Sequence, residues 1–354
     1  MKLNPFKKLI GLDISDYKIR FVEINSKNQS KLKISCLGEI DTPAGLISAG
    51  EFKNENEVTG LLKNCFNNPL FGKIDTKYIS ASLPEKKTFI KVIEIPTVPE
   101  NELKGAVAWG IEKNIPVTMD QIYYDWQVLQ NTNNSPDNIL KVIVCVAPKE
   151  LSDRYTRVIK NAHFIPINLE NESIAISRCL LNHNLTNKNS VVIIDLGRSR
   201  TNLIMYDQGN VLFSTTLEIS GHQMTQNISN QIKLDYQDAE KAKLIYGLDR
   251  KKAKGEIAKI LELVIDKLVI KIKENIDYFN NYIISGRNIN EIILTGSVSQ
   301  MLGVVKYISA KMSLSVKVGE PAQNLTQKLN IETDINKKLF SFATAIGLGI
   351  KKIA

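Results

Sequence analysis

The stretch Ile10-Gly-Leu-Asp-Ile-Ser-Asp-Tyr-Lys-Ile-Arg-Phe-Val-Glu-Ile24 has a counterpart in Val191-Val-Ile-Ile-Asp-Leu-Gly-Arg-Ser-Arg-Thr-Asn-Leu-Ile-Met-Tyr206. Each is an apolar strand ending in an aspartate, Asp13 or Asp195, then a short polar turn, then a second strand of alternating apolar residues. The pattern is a β-hairpin written twice, and it points to a duplicated domain. The aspartates suggest the chemistry. Two hairpins facing each other across a cleft hold triphosphate oxygens on backbone N–H groups, while carboxylates at their turns organise a hydrated Mg²⁺.

The chain has 354 residues, a length that suggests about two domains, and its 43% hydrophobic content is ordinary for globular proteins. No run approaches the roughly 18 consecutive apolar residues of a membrane span. The first apolar run breaks at Asp13, so no secretory segment is expected. Cys36, Cys65, Cys145 and Cys179 are widely spaced and read as reduced core thiols, which predicts a cytoplasmic location. The net charge of +9 is spread as pairs such as Lys86-Lys87, Lys337-Lys338 and Lys351-Lys352, with one cluster at Arg250-Lys-Lys-Ala-Lys254. Interleaved stacking aromatics are missing from the pattern, so nucleic acid is not the expected partner. Weak attraction to an anionic membrane surface is favoured over nucleic acid, and ordinary solvated lysine is the simplest reading of that charge.

Working outward from the first hairpin, strands are expected at Leu9–Ile14, Ile19–Ile24, Lys31–Ile40 and Lys77–Leu83, with a helix over Glu55–Phe66. A β-α-β-β-α unit follows: Thr88–Ile95, Glu100–Lys113, Ile122–Leu129, Ile139–Ala147 and Pro148–Asn161, with an Asn/Ser/Pro-rich loop at Asn131–Asn138. Helix Ser173–Leu181 and the Asn-rich linker Asn182–Ser190 lead to the second hairpin, whose strands run through Ile219. Helices then dominate, over His222–Ile232, Asp238–Tyr246 and a long one from Ala253 to Ile284 with apolar residues three or four apart. Strand Glu291–Leu294 and helices Gly303–Lys311 and Phe340–Lys351 close the chain. The predicted division is 1–86, 166–186 and 340–354 as a first core lobe and 87–165 as a small α+β insert. Residues 187–220 and 286–339 form a second core lobe, and 221–285 a helical subdomain.

In this order the pieces resemble the α/β actin-like ATPase fold shared by actin, Hsp70, hexokinase and FtsA. Besides the two hairpins, Ser173–Leu181 and Ser341-Phe-Ala-Thr-Ala-Ile-Gly-Leu-Gly349 resemble its two connecting helices, and Ile292-Ile-Leu-Thr-Gly-Ser-Val-Ser-Gln-Met-Leu-Gly303 its nucleoside loop. Within that fold the chain is most similar to the PilM family of type IV pilus assembly proteins. Leu83–Pro96, Glu100–Lys104, Ile115-Pro116 and Tyr124–Val128 resemble the family's insert, and Leu169–Arg178 its first connecting helix. An FtsA-type division filament protein would be expected to continue into a linker and an amphipathic tail, whereas this sequence stops at Ala354. A small-metabolite kinase of the same fold would need a second catalytic aspartate in a polar loop of the insert.

The resemblance implies an ATP site with Mg²⁺ held through water by Asp13 and Asp195. Ser15 and Lys18 would serve the first phosphate turn, and Gly197, Arg198 and Thr201 the second. Glu240 and Lys243 would flank the purine nucleoside together with Gly296 and Ser297, and Glu172 would orient attacking water. It further implies binding of the cytoplasmic N-terminal segment of PilN in a groove between the first lobe and the insert, with Trp109, Ile111, Ile115 and Trp126 as lining. Other inner-membrane pilus assembly proteins and self-association into a ring are also implied, on the cytoplasmic face of the inner membrane through protein partners. The turns depart from the family pattern. Ser15-Asp16-Tyr17 replaces a glycine-rich turn, Asp16 adds negative charge beside a triphosphate, and Val298 stands where glycine lets backbone approach the nucleotide. Each intrusion is expected to weaken binding by on the order of 1–3 kcal/mol, leaving at most a weak ATPase. His163, His183 and His222 have no ligand spacing and are assigned no role.

Overall fold

The computed structural model describes residues 7–28, 31–129, 138–181, 190–284, 288–326 and 338–351. The predicted loop Asn131–Asn138 and linker Asn182–Ser190 lie outside these except for their last residues, as do His183, Lys337, Lys352 and the domain boundaries near 186 and 286.

The first lobe opens with β1 (Lys8–Ile14), β2 (Lys18–Asn28) and β3 (Lys31–Asp41), an antiparallel meander. The two-residue strands β4 (Ile47–Ser48) and β5 (Glu51–Phe52) pair with each other before α1 (Glu55–Asn67), β6 (Phe71–Gly72) and β7 (Tyr78–Leu83). The insert contributes β8 (Phe89–Pro96), α2 (Leu103–Asn114), β9 (Ile122–Val128) and β10 (Ile139–Pro148), in sheet order β8-β10-β9. Then come α3 (Lys149–Asn161), β11 (Ile165–Asn171) and α4 (Glu172–Leu180). The second lobe holds β12 (Ser190–Leu196), β13 (Thr201–Asp207), β14 (Asn210–Leu217), α5 (Gly221–Ile232), α6 (Tyr236–Tyr246), α7 (Glu256–Tyr278), β15 (Ile289–Thr295), α8 (Val304–Met312) and β16 (Ser315–Val318). Helix α9 (Ala343–Gly349) returns to the first lobe.

The duplication is visible in the pairing. In the first sheet β1 pairs antiparallel with β2 and parallel with β7, with β3 and β11 outside them. In the second, β12 pairs antiparallel with β13 and parallel with β15, with β14 and β16 outside. Strand for strand the two five-stranded topologies coincide, and only the short β6 extends the first. The hairpin strands are buried almost throughout, because each sheet is covered on both faces.

Two boundaries differ from those expected. Helix α3 sends Leu151, Tyr155, Val158 and Ile159 into the first lobe's core beside Val58, Leu62 and Phe66, so it does not belong to the insert. Its Arg154 and Arg157 both pair with Glu55 of α1, and the Tyr155 hydroxyl donates to the Gly50 carbonyl at 3.0 Å. Helix α7 starts at Glu256, after Lys254 and Gly255 adopt positive φ (53° and 78°), and ends where Phe279–Ile283 widens into a π-turn. Among the described residues no helix is long and apolar enough to cross a membrane.

Helices α4 and α9 cross beneath the cleft at a spacing only small residues allow. A Cβ on Gly347 would stand 1.8 Å from the Ala175 carbonyl oxygen, and one on Gly11 1.9 Å from that of Ala345. Arg178 fixes the crossing by donating to both oxygens of Glu170 and, at 2.9 Å, to the Gly347 carbonyl. The insert leans on the second lobe. Buried Glu85, just before β8, accepts from the Ser173 hydroxyl of α4 at 2.7 Å and from Ser214 of β14, and Lys86 pairs with Glu218 at 3.1 Å.

Candidate functional site

Strand pairing decides what faces the cleft. Asp13 sits opposite Arg20 on β2, and Asp195 opposite Asn202 on β13. Between the two hairpins lies a cavity of ≈ 270 Å³ that these four residues line together with Glu172 and Arg200. Burial, with the Glu172 charge next, pushes Asp13 up to about 6 and Asp195 up to about 7; for Asp195 the Asp13 charge adds to the effect. Asp13, Glu172 and Asp195 thus share this part of the cavity with the Arg20 and Arg200 guanidinium groups. Arg200 donates to Glu172 Oε1 at 2.8 Å, and Asn202 Nδ2 to Oε2 at 3.1 Å. With both oxygens engaged, Glu172 braces the start of α4 against β13 while still lining the cavity.

The turns are held differently from the sequence reading. The Ser15 hydroxyl and N–H both donate to the Lys18 carbonyl, at 2.8 and 3.0 Å. The Asp16 carboxylate accepts the N–H groups of Ala49 and Gly50, both at 3.0 Å, and is absent from the cavity lining, so the expected negative charge is turned away from the triphosphate position. Lys18 lines the cavity while pairing with Asp41 at 2.9 Å and Glu39 at 3.4 Å. In the second turn the Gly197 N–H is already shared between the Asp195 and Arg200 carbonyls, at 3.1 and 3.0 Å. Thr201 is fully buried and donates its hydroxyl to the Ile219 carbonyl at 2.7 Å, so it is structural and off the cavity. Arg198 and Ser199 do line it. The Arg198 guanidinium lies over the Tyr17 ring at 4.6 Å, joining the two turns across the cleft.

On the nucleoside side, Gly296 has φ +82°, and a Cβ there would lie 2.5 Å from Asp195 Oδ1, so glycine is required. Val298 does not intrude. It is 2% exposed in the second lobe's core, where its methyl fills the space beside Gly221, and Ser297 faces the cavity instead. Lys243 is buried, with burial lowering its pKa, and donates to Gly221 O, Thr225 Oγ1 and Glu240 Oε2 at 3.1, 2.9 and 2.7 Å. Glu240 and Lys243 both reach the cavity. Of the expected residues, then, all but Thr201 converge.

Arg20, Arg200, Asn202 and Tyr17 were not singled out by sequence. The signal for three of them lies in the hairpin register: a polar residue facing each turn aspartate, and an arginine in a turn where glycine or serine would suffice.

A second cavity of ≈ 300 Å³ lies between the insert, α4 and the turn joining β13 to β14. Gln127, Ile143 and Cys145 line it from the insert sheet, Ile174, Ser177 and Arg178 from α4, and Tyr206, Asn210 and Val211 from the second lobe. Of the residues expected in a partner groove, Trp126 lines this one. Ile111 and Ile115 are instead buried in the insert's own core, because α2 turns its i, i+4 face onto that sheet. Trp109 is 53% exposed elsewhere on α2, with Lys113 over its ring at 5.1 Å.

The donor set fits a polyphosphate with a hydrated cation. Among the described residues no group of three His, Cys, Asp or Glu converges as a direct metal cage. A hydrated divalent ion would sit between Asp13 and Asp195, whose carboxylates burial disfavours and an added cation would relieve. Arg198, Ser199 and Lys18, which line the cavity, would supply donors for phosphate oxygens.

Two lobes of duplicated topology around an arginine-braced cleft with an aspartate at each hairpin turn, and connecting helices crossing beneath it, define an actin-like protein. The chain belongs to the family described as type IV pilus assembly protein PilM, which matches residues 11–353. It superposes on the structure of a PilM-PilN type IV pilus biogenesis complex with a TM-score of 0.81 at 20% identity, over 98% of each chain. Ethanolamine utilization protein EutJ from Carboxydothermus hydrogenoformans follows at 0.58 and 13% identity, over 98% of this chain and 90% of that one. MreB5 of Spiroplasma citri bound to AMPPNP aligns at 0.51 and 13% identity, over 96% and 95%.

Proposed function

We propose that the chain is the cytoplasmic actin-like scaffold of a type IV pilus assembly machine at the inner-membrane face. In this reading it grips the N-terminal cytoplasmic segment of a PilN-type partner in the second cavity. The cleft takes Mg·ATP as a structural or switching ligand with at most slow turnover. The observation that carries the reading is the course of α4. Its first residue, Glu172, lines the cleft, and its next turns present Ile174, Ser177 and Arg178 to the groove. One rigid helix of nine residues therefore has a wall in each site.

Bound nucleotide would supply a polyphosphate charge bridging the two lobes. The chain's own residues set the rest. Asp13 and Asp195 orient a hydrated cation, and Arg200 stays fixed by Glu172 while Arg198 is free to leave the Tyr17 ring for an anionic oxygen. Turnover is slow in this reading because each oxygen of Glu172, the first residue of α4, already accepts from a fixed donor that competes with a water for it. In the groove, half-buried Ile143 and Cys145 offer apolar contact and Asp125 and Arg178 frame it with opposite charges, a surface suited to an extended amphipathic segment.

The test is calorimetric titration of the full chain with a synthetic PilN N-terminal peptide, alongside a Gln127→Trp variant that fills the groove from an exposed strand position. Micromolar binding by the parent and at least tenfold weaker binding by a variant of unchanged melting temperature is the expected result. Equal binding by both would move the peptide elsewhere.

A further inference from the structure

The solvent side of α7 is the part of the molecule that neither the cleft nor the groove uses. Its inner face is fully committed to the second lobe's core through Ile257, Leu261, Val264, Leu268 and Ile272. Its outer face runs Lys259, Leu263, Lys267 and Ile270 at spacings of three and four, flanked by Lys271 one turn on from Lys267, all of them exposed. Leu263 is 63% and Ile270 55% exposed, and the two are seven residues apart, so they lie nearly in line along a helix about 34 Å long. Exposed aliphatics scattered singly need no explanation. These two alternate with lysines on one stripe, and Tyr282, 78% exposed, continues it past the helix end.

Charge says what fits. Residues 250–278 carry eight Lys or Arg (250, 251, 252, 254, 259, 267, 271, 273) against five Asp or Glu (256, 262, 266, 274, 277). The acids are largely spoken for: Glu262 pairs with Arg250 at 2.6 Å, Asp266 with Lys311 of α8 at 3.1 Å, and Glu274 with Lys271 at 2.7 Å. Lys251, Lys252, Lys254, Lys259, Lys267 and Lys273 have no acidic partner among the described residues. The N-terminal end is broadened by Ile245, 56% exposed, whose carbonyl accepts from Lys252 at 3.3 Å. A second copy of the chain would have to bring a net charge of +9 to this basic stripe. A duplex phosphate backbone would leave Leu263 and Ile270 without a use.

We propose that the outer face of α7 is a docking surface for an anionic lipid bilayer, lying flat with Leu263 and Ile270 dipping between headgroups and the lysines at the phosphate level. The geometry is that of an interfacial helix whose opposite side is anchored in protein. Each lysine near an anionic surface contributes about fivefold in partition, so the three stripe lysines together carry on the order of 100-fold. Two aliphatic side chains of shallow insertion carry at least about tenfold more.

The test is flotation of the full chain with phosphatidylcholine vesicles, alone or with about a third phosphatidylglycerol. Three forms are compared: the parent, a Lys259→Gln/Lys267→Gln/Lys271→Gln triple variant, and a charge-neutral Leu263→Gln/Ile270→Gln double variant, each with its melting temperature. All five positions are exposed, so folding should be unchanged. Flotation on anionic vesicles only, weakened by salt, about 100-fold lower for the triple variant and about tenfold lower for the double variant, is the expected result. Absence of flotation, or flotation indifferent to both variants, overturns the proposal. So does duplex DNA binding that follows the lysines while flotation ignores Leu263 and Ile270, or a double variant that changes only self-association without vesicles.

Discussion

Asp195→Asn should make the ligand-free protein more stable while destroying its cation site. Raising the Asp195 pKa from 3.8 to about 7 costs the folded state about 4 kcal/mol at pH 8, where the carboxylate is ionised in both folded and unfolded chains. Below pH 3.8 the group is neutral in both and the penalty vanishes, so stability from this site falls as pH rises from about 4 to about 7. At pH 5 the remaining cost is about 2 kcal/mol. Asparagine keeps the size and polarity of the side chain but never carries the charge. For a chain of this length the variant should melt about 6 °C above the parent at pH 8 and about 2 °C above it at pH 5, in chelator. Mg·ATP should then raise the parent's melting temperature and leave the variant's unchanged. A variant that is less stable than the parent at pH 8, or whose gain is the same at both pH values, would refute the buried-carboxylate account.

Arg200→Ala leaves Glu172 buried without its cation and should cost about 3–5 kcal/mol, read by calorimetric melting; a loss under about 1 kcal/mol would contradict the brace. Tyr17→Leu removes the stack that holds Arg198 and should raise affinity for Mg²⁺-tripolyphosphate by about 2- to 30-fold, whereas Arg198→Ala should lower it; both moving in one direction would contradict the latch. Gly347→Ala drives a methyl into the Ala175 carbonyl and should cost more than about 3 kcal/mol or abolish folding. Gly60→Ala, in α1 with nothing near the new methyl, should instead stabilise by about 0.5–1 kcal/mol.

Why some of this was legible in the sequence and some was not follows from what each signal depends on. The hairpins at Asp13 and Asp195 announce themselves because strand alternation and a turn aspartate are local. The connecting helices were readable from their small residues, since Gly347 and Ala175 must touch. Strand β11 was missed because Ile-Pro-Ile-Asn-Leu-Glu-Asn mixes a proline with polar residues, and only its edge position beside β7 makes it a strand. Strand β16, four residues long, exists by pairing with β15. Helix α3 looked like part of the insert because chain order suggested it; its partners Val58, Leu62 and Phe66 come from nearly a hundred residues earlier. Val298 and Asp16 were misjudged for a related reason. Residue type says what a side chain is, but the direction it points is set by packing against Gly221 or by the open N–H groups of Ala49 and Gly50. The brace of Glu172, Arg200 and Asn202 is a tertiary fact, built from α4 and β13.

Coupling of the cleft to the groove through α4 is tested most directly by repeating the PilN peptide titration at saturating Mg·ATP. The dissociation constant should shift by at least about fivefold, with the same factor appearing in Mg·ATP affinity when the peptide is present. Peptide binding of identical strength with and without nucleotide, while Mg·ATP binds the cleft, would contradict it.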